Sequence, residues 1–167
     1  GLPIGAREVP DETRWVQALH ALQRVVPIHR HPAARHRPEV DASDTFHALA
    51  SRASHEWATL GRGNHFVELR RCAASSEHWL LVHTGSRSLG PSVQAHYEGL
   101  ATKRLGGWSH LDAQSEDGAN YLRDVAACVA WAEGSRRAML HACVEALAEV
   151  FGVAPDWPAL IDTHHDS

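Results

Sequence analysis

Three short segments set histidine beside small or polar residues: Gly61-Arg62-Gly63-Asn64-His65-Phe66, Val82-His83-Thr84-Gly85-Ser86-Arg87 and Thr163-His164-His165-Asp166. Each falls where a strand-like stretch meets a loop. Metal centres are often assembled this way, because ligands on separate rigid strands are held near one point while a coordination position stays open. Imidazole nitrogen suits manganese, iron, nickel and zinc. Any one of these histidines is equally at home as a satisfied or exposed structural residue, so the metal reading rests on their joint occurrence. No His-Glu-x-x-His pattern occurs, which disfavours a zincin-type protease.

The first segment has a second layer. Strand alternation places Asn64, Phe66 and Glu68 on one face and His65, Val67 and Leu69 on the other. An amide, an aromatic ring and a carboxylate on one face are what a purine pocket uses, the ring to stack and the polar groups to bond base or ribose. The alternative is that Phe66 is core and Glu68 merely solvated. In the second segment, Thr84 to Gly90 offers small residues, backbone N–H groups and the Arg87 guanidinium just before a helix, equipment that suits a phosphate. A plain Gly/Ser turn with a solvent-facing arginine is the alternative there.

Elements of both kinds must position these residues. Asp11 is placed to cap a helix carrying Trp15, Leu19 and Leu22, and Asp41 or Ser43 to start another carrying Phe46, Leu49 and Ala50. The stretches 65–69 and 78–83 are short, aromatic and branched, and glycines flank them, so two strands are expected. Helical spacing returns from Pro91 to Leu105. A long amphipathic helix is expected from Gly118 to Phe151, with Leu122, Val125, Val129, Ala132, Met139, Cys143, Leu147 and Val150 on its apolar row. Gly134 is a candidate kink, and Gly152 a candidate end. Ala159 to Thr163 then reads as a last strand. Helices and strands are interspersed without strict alternation, so the expected class is α+β, a β-sheet core with flanking helices, in a single domain over 1–167.

Composition bounds the function. The chain has 167 residues, 44% hydrophobic and 22% charged, and a net charge of −4. Its apolar runs are far short of the roughly 20 residues that cross a bilayer, so no membrane association is expected. Cys72, Cys128 and Cys143 form no C-x-x-C pair, which disfavours a disulfide scaffold or zinc ribbon and makes a reducing, cytoplasmic setting the default. The stretch from Ile28 to Val40, with Arg and His packed between Pro27 and Pro38, reads as an exposed loop or a weakly ordered linker.

Taken in order, Leu60-Gly61-Arg62-Gly63-Asn64-His65-Phe66-Val67-Glu68, Leu81-Val82-His83-Thr84-Gly85-Ser86-Arg87-Ser88-Leu89-Gly90, Tyr121-Leu122, Trp131-Ala132 with Arg136, and His164-His165 resemble the RtcB family of RNA ligases. Leu2-Pro3-Ile4-Gly5 is similar to the stretch that follows that family's first metal motif. The resemblance implies part of an RtcB-type fold and a GTP- and manganese-dependent, monomeric ligase that joins an RNA 3′-phosphate, or 2′,3′-cyclic phosphate, to a 5′-hydroxyl. In that family a histidine near the C-terminus is guanylylated, and two manganese ions are expected. By the same resemblance His65, His83 and His165 are metal ligands, Asn64, Phe66 and Glu68 contact the guanine nucleotide, and Ser86 and Arg87 belong to the phosphate loop.

There are departures from the pattern. Thr84 replaces a serine, Ser88 a glycine and Ser135 an asparagine, and Asp166 stands for an asparagine beside the last metal histidine. A carboxylate at Asp166 would add negative charge close to the nucleotide phosphates and weaken GTP binding unless a metal compensates. The lettering is similar to the divergent paralogues encoded beside a release-factor-like protein. The family's Asp-x-x-Cys motif is expected before Gly1 and its nucleophilic histidine after Ser167, so the chain is expected to be an internal segment, inactive alone, with no catalytic nucleophile of its own. Two other readings compete: a metal-dependent phosphohydrolase using His83, His165 and Asp162 to activate water, and a non-catalytic RNA- or metal-binding module whose stretch from His29 to Arg37 touches phosphate.

Overall fold

A computed structural model describes residues 1–5, 11–31, 39–75 and 77–164. Six strands and four α-helices follow in the order β1 (Leu2–Gly5), α1 (Glu12–Val25), α2 (Asp44–Arg52), β2 (Phe66–Arg71), β3 (His78–His83), α3 (Leu89–Leu100), β4 (Lys103–Leu105), β5 (Trp108–His110), α4 (Glu116–Phe151) and β6 (Ala154–Pro155). Short 3₁₀ turns occupy Ser54–Glu56 and Trp157–Ala159. The class is α+β, as the interspersed periodicities imply. No helix among the described residues is long and apolar enough to cross a membrane.

The chain divides into two compact units. The first gathers residues 1–30, 58–84 and the chain from 135 onward. It holds a four-stranded antiparallel sheet in the order β2-β3-β1-β6. Leu2 pairs with Leu80 in the centre of that sheet, and both are fully buried, so this rung anchors the register. Asp11 caps α1 by accepting the Arg14 N–H at 2.9 Å. Trp15 of α1 meets Phe151 edge-on at 5.2 Å, and Met139, Cys143 and Leu147 of α4 complete the core.

The second unit comprises residues 31–57 and 85–134. Ser43, rather than Asp41, caps α2, its hydroxyl accepting from the Phe46 N–H at 3.1 Å. Phe46, Leu89, Val93 and Trp131 are its largest fully buried apolar side chains, and Trp57 packs edge-on against Trp131 at 5.0 Å.

Three expectations are corrected. The helix from Pro91 stops at Leu100, because Gly106 and Gly107, at φ +57° and +88°, form a two-residue hairpin turn that pairs β4 with β5. The stretch Ala159 to Thr163 is not a strand. Its start belongs to a 3₁₀ turn, and the Ile161 N–H then bonds the Gly1 carbonyl at 2.9 Å without building a ladder. In the first half of α4 the row Leu122, Val125 and Val129 is exposed, at 57%, 39% and 38%, while Asp124, Ala127, Trp131 and Ser135 face inward. The helix α4 runs through Gly134 from Glu116 to Phe151.

The three cysteines differ by environment. Burial pushes the Cys143 thiol up to about 12, and burial followed by the Asp124 charge pushes Cys128 up to about 11. Cys72 is lowered instead, first by a hydrogen bond from the Ser75 hydroxyl. Thiol titration with a disulfide reagent at mildly alkaline pH is therefore expected to label Cys72 first and Cys143 only after unfolding. Equal rates at all three would contradict this assignment.

Candidate functional site

The histidines of the first two segments meet at one end of the first unit's sheet. Phe66 opens β2 and pairs with His83, the last residue of β3. Directly opposed residues of an antiparallel ladder project to the same side. The Phe66 and His83 rings accordingly meet edge-on, 5.1 Å between centroids at 83°. His65 stands just before the first paired residue, outside the ladder, and its ring lies 6.0 Å from that of His83. All three are half-buried.

This arrangement changes one expectation. Alternation assigned metal and nucleotide to opposite sides of a strand end. The register instead sets His83 on the side that carries Phe66 and Glu68. One cluster thus combines two imidazoles with an aromatic ring.

The donor chemistry fits a borderline metal ion in part. Nitrogen–metal bonds of roughly 2.1 Å let two imidazoles with centroids this far apart share one ion. Among the described residues no group of three His, Cys, Asp or Glu side chains comes together to complete a site. The third expected ligand, His165, and the neighbouring Asp166 lie outside the described residues, whereas His164 is described and exposed. The basic stretch 32–38 also lies outside them.

The nucleotide-contact residues are placed unequally. Asn64 is exposed in the loop before β2. Glu68 is half-buried, and its carboxylate accepts the Arg70 Nε–H at 2.6 Å. A ligand amino group would have to compete with that guanidinium. The loop itself is tied down from both sides. Leu60 and Gly61 N–H groups bond the carbonyls of Pro27 and Ile28, and the buried Thr84 hydroxyl donates to the Leu60 carbonyl at 2.8 Å. Gly61 and Gly63 take φ of +95° and +78°, which a side chain would resist. The threonine that replaces the family's serine thus keeps the hydroxyl that joins two motif segments.

Ser86 and Arg87 belong to the second unit. Arg87 is held at φ +60°, uncommon for a side chain of its size, and the Ser86 carbonyl accepts from the Leu89 N–H at the start of α3. A methyl group at Gly90 would collide with the Ser86 hydroxyl, so the glycine sets that close approach. The Ser88 N–H donates to a Glu56 carboxylate oxygen at 2.9 Å. The anion-favouring end of α3 therefore already holds a carboxylate of the chain itself.

Three positions matter that spacing alone did not rank. Asp162 is 11% exposed, and Arg136, 12% exposed, sends both Nε–H and an Nη–H to its Oδ1 at 3.0 and 2.7 Å, while Arg137 approaches Oδ2 at 3.5 Å. A carboxylate so engaged is a structural anchor for the segment leading to His164, which weighs against its use in a hydrolase. Ser135 is fully buried and accepts the N–H of Ala58, itself at φ +54°. Asp124 is fully buried and accepts from the Ser43 N–H, the Ser43 hydroxyl and the Tyr97 hydroxyl at 2.8, 2.6 and 2.8 Å. Burial, then its bond to Asp124, raises the Tyr97 phenol above its usual range. The available signal was an acid in register with Ala127 and Trp131.

Comparison with known proteins agrees with the motifs. The family model described as tRNA-splicing ligase RtcB matches residues 9–167. Among curated relatives, an RNA-splicing ligase RtcB1 of Escherichia coli is 32% identical over 123 residues, covering 65% of this chain and 30% of that protein. An RNA-splicing ligase RtcB of the same species is 33% identical over 102 residues, 55% of this chain and 24% of the relative. A tRNA-splicing ligase RtcB of Aeropyrum pernix is 26% identical over 138 residues, covering 70% and 29%. The chain thus spans less than a third of the length of each of these relatives. With nearly all of its residues inside the family match, the chain belongs to the RtcB family.

Proposed function

We propose that this chain is part of an RNA ligase that uses GTP and manganese to join an RNA 3′-phosphate, or 2′,3′-cyclic phosphate, to a 5′-hydroxyl. The observation that carries this reading is the meeting of His65, His83 and Phe66 at one strand end, in a chain whose relatives are named RNA-splicing ligases. His65, His83 and His165 would hold manganese, which as a Lewis acid neutralises phosphate charge and polarises phosphorus. Phe66 offers a face to a guanine, Asn64 an amide within reach of solvent, and Glu68 a carboxylate whose release from Arg70 accompanies binding. By the same resemblance Ser86 and Arg87 would contact phosphate, and Asp166 would contact the nucleotide. The nucleophilic histidine that takes GMP is assigned to no residue of this chain. RNA and the guanine nucleotide are the partners, and the protein acts as a monomer.

Manganese titration followed through the histidine ring resonances tests the reading. Paramagnetic broadening is expected at His65 and His83 before the other histidines, and His83→Ala should abolish the selective response at His65. Uniform broadening of all histidines would sink the metal assignment.

A further inference from the structure

The strand that carries Phe66 and Glu68 has an outer edge to which no described strand is paired. β2 ends the sheet order, and none of its residues is fully buried, whereas Leu80 of the neighbouring β3 is. The Cys72 N–H bonds the Glu77 carbonyl at 2.8 Å, which prolongs the β2–β3 ladder by one rung. Alternate residues of an antiparallel strand turn both backbone groups to the same neighbour. Glu68 and Arg70 therefore bond β3, as Cys72 does, while Val67 and Leu69 turn their N–H and C=O outward. The far side of β3 agrees: Pro3, which has no N–H to give, stands opposite Trp79, whose backbone is turned to Arg70. Among the described residues nothing bonds the outer N–H and C=O of Val67 or Leu69.

An exposed edge is a template for another strand, and the residues of this one favour its own copy. Glu68 and Arg70 flank Leu69 on one face, their side chains 35% and 66% exposed, and they meet at 2.6 Å. Because the outward groups belong to positions 67 and 69, an antiparallel partner must bond odd positions to odd ones. A two-fold axis on position 68 would set Glu68 against Glu68, and an axis on position 70 would set Arg70 against Arg70. Like charges directly opposite are unfavourable. An axis on Leu69 sets the two leucines opposite each other with N–H···O=C bonds exchanged both ways. It also places each Glu68 across from the other copy's Arg70, in a rung without hydrogen bonds, where side chains come closest. The two intrastrand ion pairs then close into a ring of alternating charges.

We propose that β2 pairs with β2 of a second copy of this chain, antiparallel about Leu69, so that the two sheets become one continuous sheet with two-fold symmetry. Each copy keeps its own His65, His83 and Phe66, so the pair joins units that each act alone. The inference does not rest on the ligase reading, and either can fail without the other.

Sedimentation velocity on the whole chain, from about 1 μM to 1 mM, tests the pairing in the range where small interfaces belong. A monomer–dimer equilibrium is expected. Glu68→Arg and Arg70→Glu should each weaken it roughly tenfold or more, because both charged rungs turn repulsive. Mixed in equal amounts, these two variants should dimerise with each other to within about threefold of the parent, although neither retains its intrastrand ion pair. That result separates contact between copies from any effect of the charges within one strand. Leu69→Pro deletes an outward N–H that β3 does not use, a replacement that an edge strand tolerates, and should abolish the dimer while circular dichroism stays that of the parent. A chain that stays monomeric at about 1 mM would overturn the proposal. So would dimerisation that all three single replacements leave within about twofold of the parent, or a mixture of the two charge variants that stays monomeric.

Discussion

Asp124→Ala is expected to destabilise the second unit by about 3–5 kcal/mol, the cost of leaving several buried polar groups without their charged partner. The carboxylate joins three helices: Ser43 is the cap of α2, Tyr97 belongs to α3, and Asp124 to α4. Removing it strands one buried N–H and two hydroxyls at once. Asp124→Asn separates this from a general intolerance of substitution. An amide oxygen can still accept the Ser43 N–H, and the two hydroxyls can rotate to accept from the amide NH₂, so this variant should lose only about 1–2 kcal/mol. Urea unfolding read through Trp57 and Trp131, which pack together in the same unit, measures both. Equal losses in the two variants would show that shape, and not hydrogen bonding, holds these helices together.

Asp124 also shows where sequence reasoning stopped. Local chemistry was legible: Asp11 and Ser43 announce their helices because a cap is decided within three residues of the chain. So were the two strands β2, which starts just after His65, and β3, which ends on His83, through aromatic and branched residues between glycines. The inward row of α4 was misread because apolar periodicity selects Leu122, Val125 and Val129 and has no way to prefer an acid. Asp124 is buried because its partners come from positions 43 and 97, far away in sequence. The strand β1 is four residues long and the β4–β5 hairpin has three per side, too short for alternation to register, although the Gly-Gly pair was a usable hairpin signal.

The candidate site divides in the same way. Motif order identified which histidines to consider, while the side they share depends on Phe66 pairing with His83. That register belongs to the β2–β3 pair, in which Leu69 also pairs with the fully buried Leu80, a fact that no single strand contains. Glu56 at the start of α3 is similar. Its carboxylate occupies the position that small residues and backbone N–H groups recommended for phosphate, and it arrives from 32 residues away.

Asp162→Ala is expected to cost about 3–5 kcal/mol in the first unit, since Arg136 would keep a nearly buried guanidinium without its carboxylate. A surface ion pair would lose under about 1 kcal/mol, so the size of the loss measures how far this pair is withdrawn from water. The double replacement Asp162→Leu with Arg136→Met removes both charges and should recover most of the stability, because the penalty lies in the unpaired charge left behind. If the double variant is as unstable as the single one, packing around the pair carries the effect instead. A second readout follows from position. Ile161 bonds back to Gly1, Asp162 is clamped by α4, and His164 follows two residues later. Amide exchange at Ile161 should accelerate in Asp162→Ala and slow again in the double variant, while exchange at Leu80, deep in the sheet, changes only with global stability. In this chain Trp131-Ala132 with Arg136, and the segment that leads to His164, then have a common physical reason to occur together. The arginine on the helix holds the aspartate that fixes where the histidine-bearing segment runs.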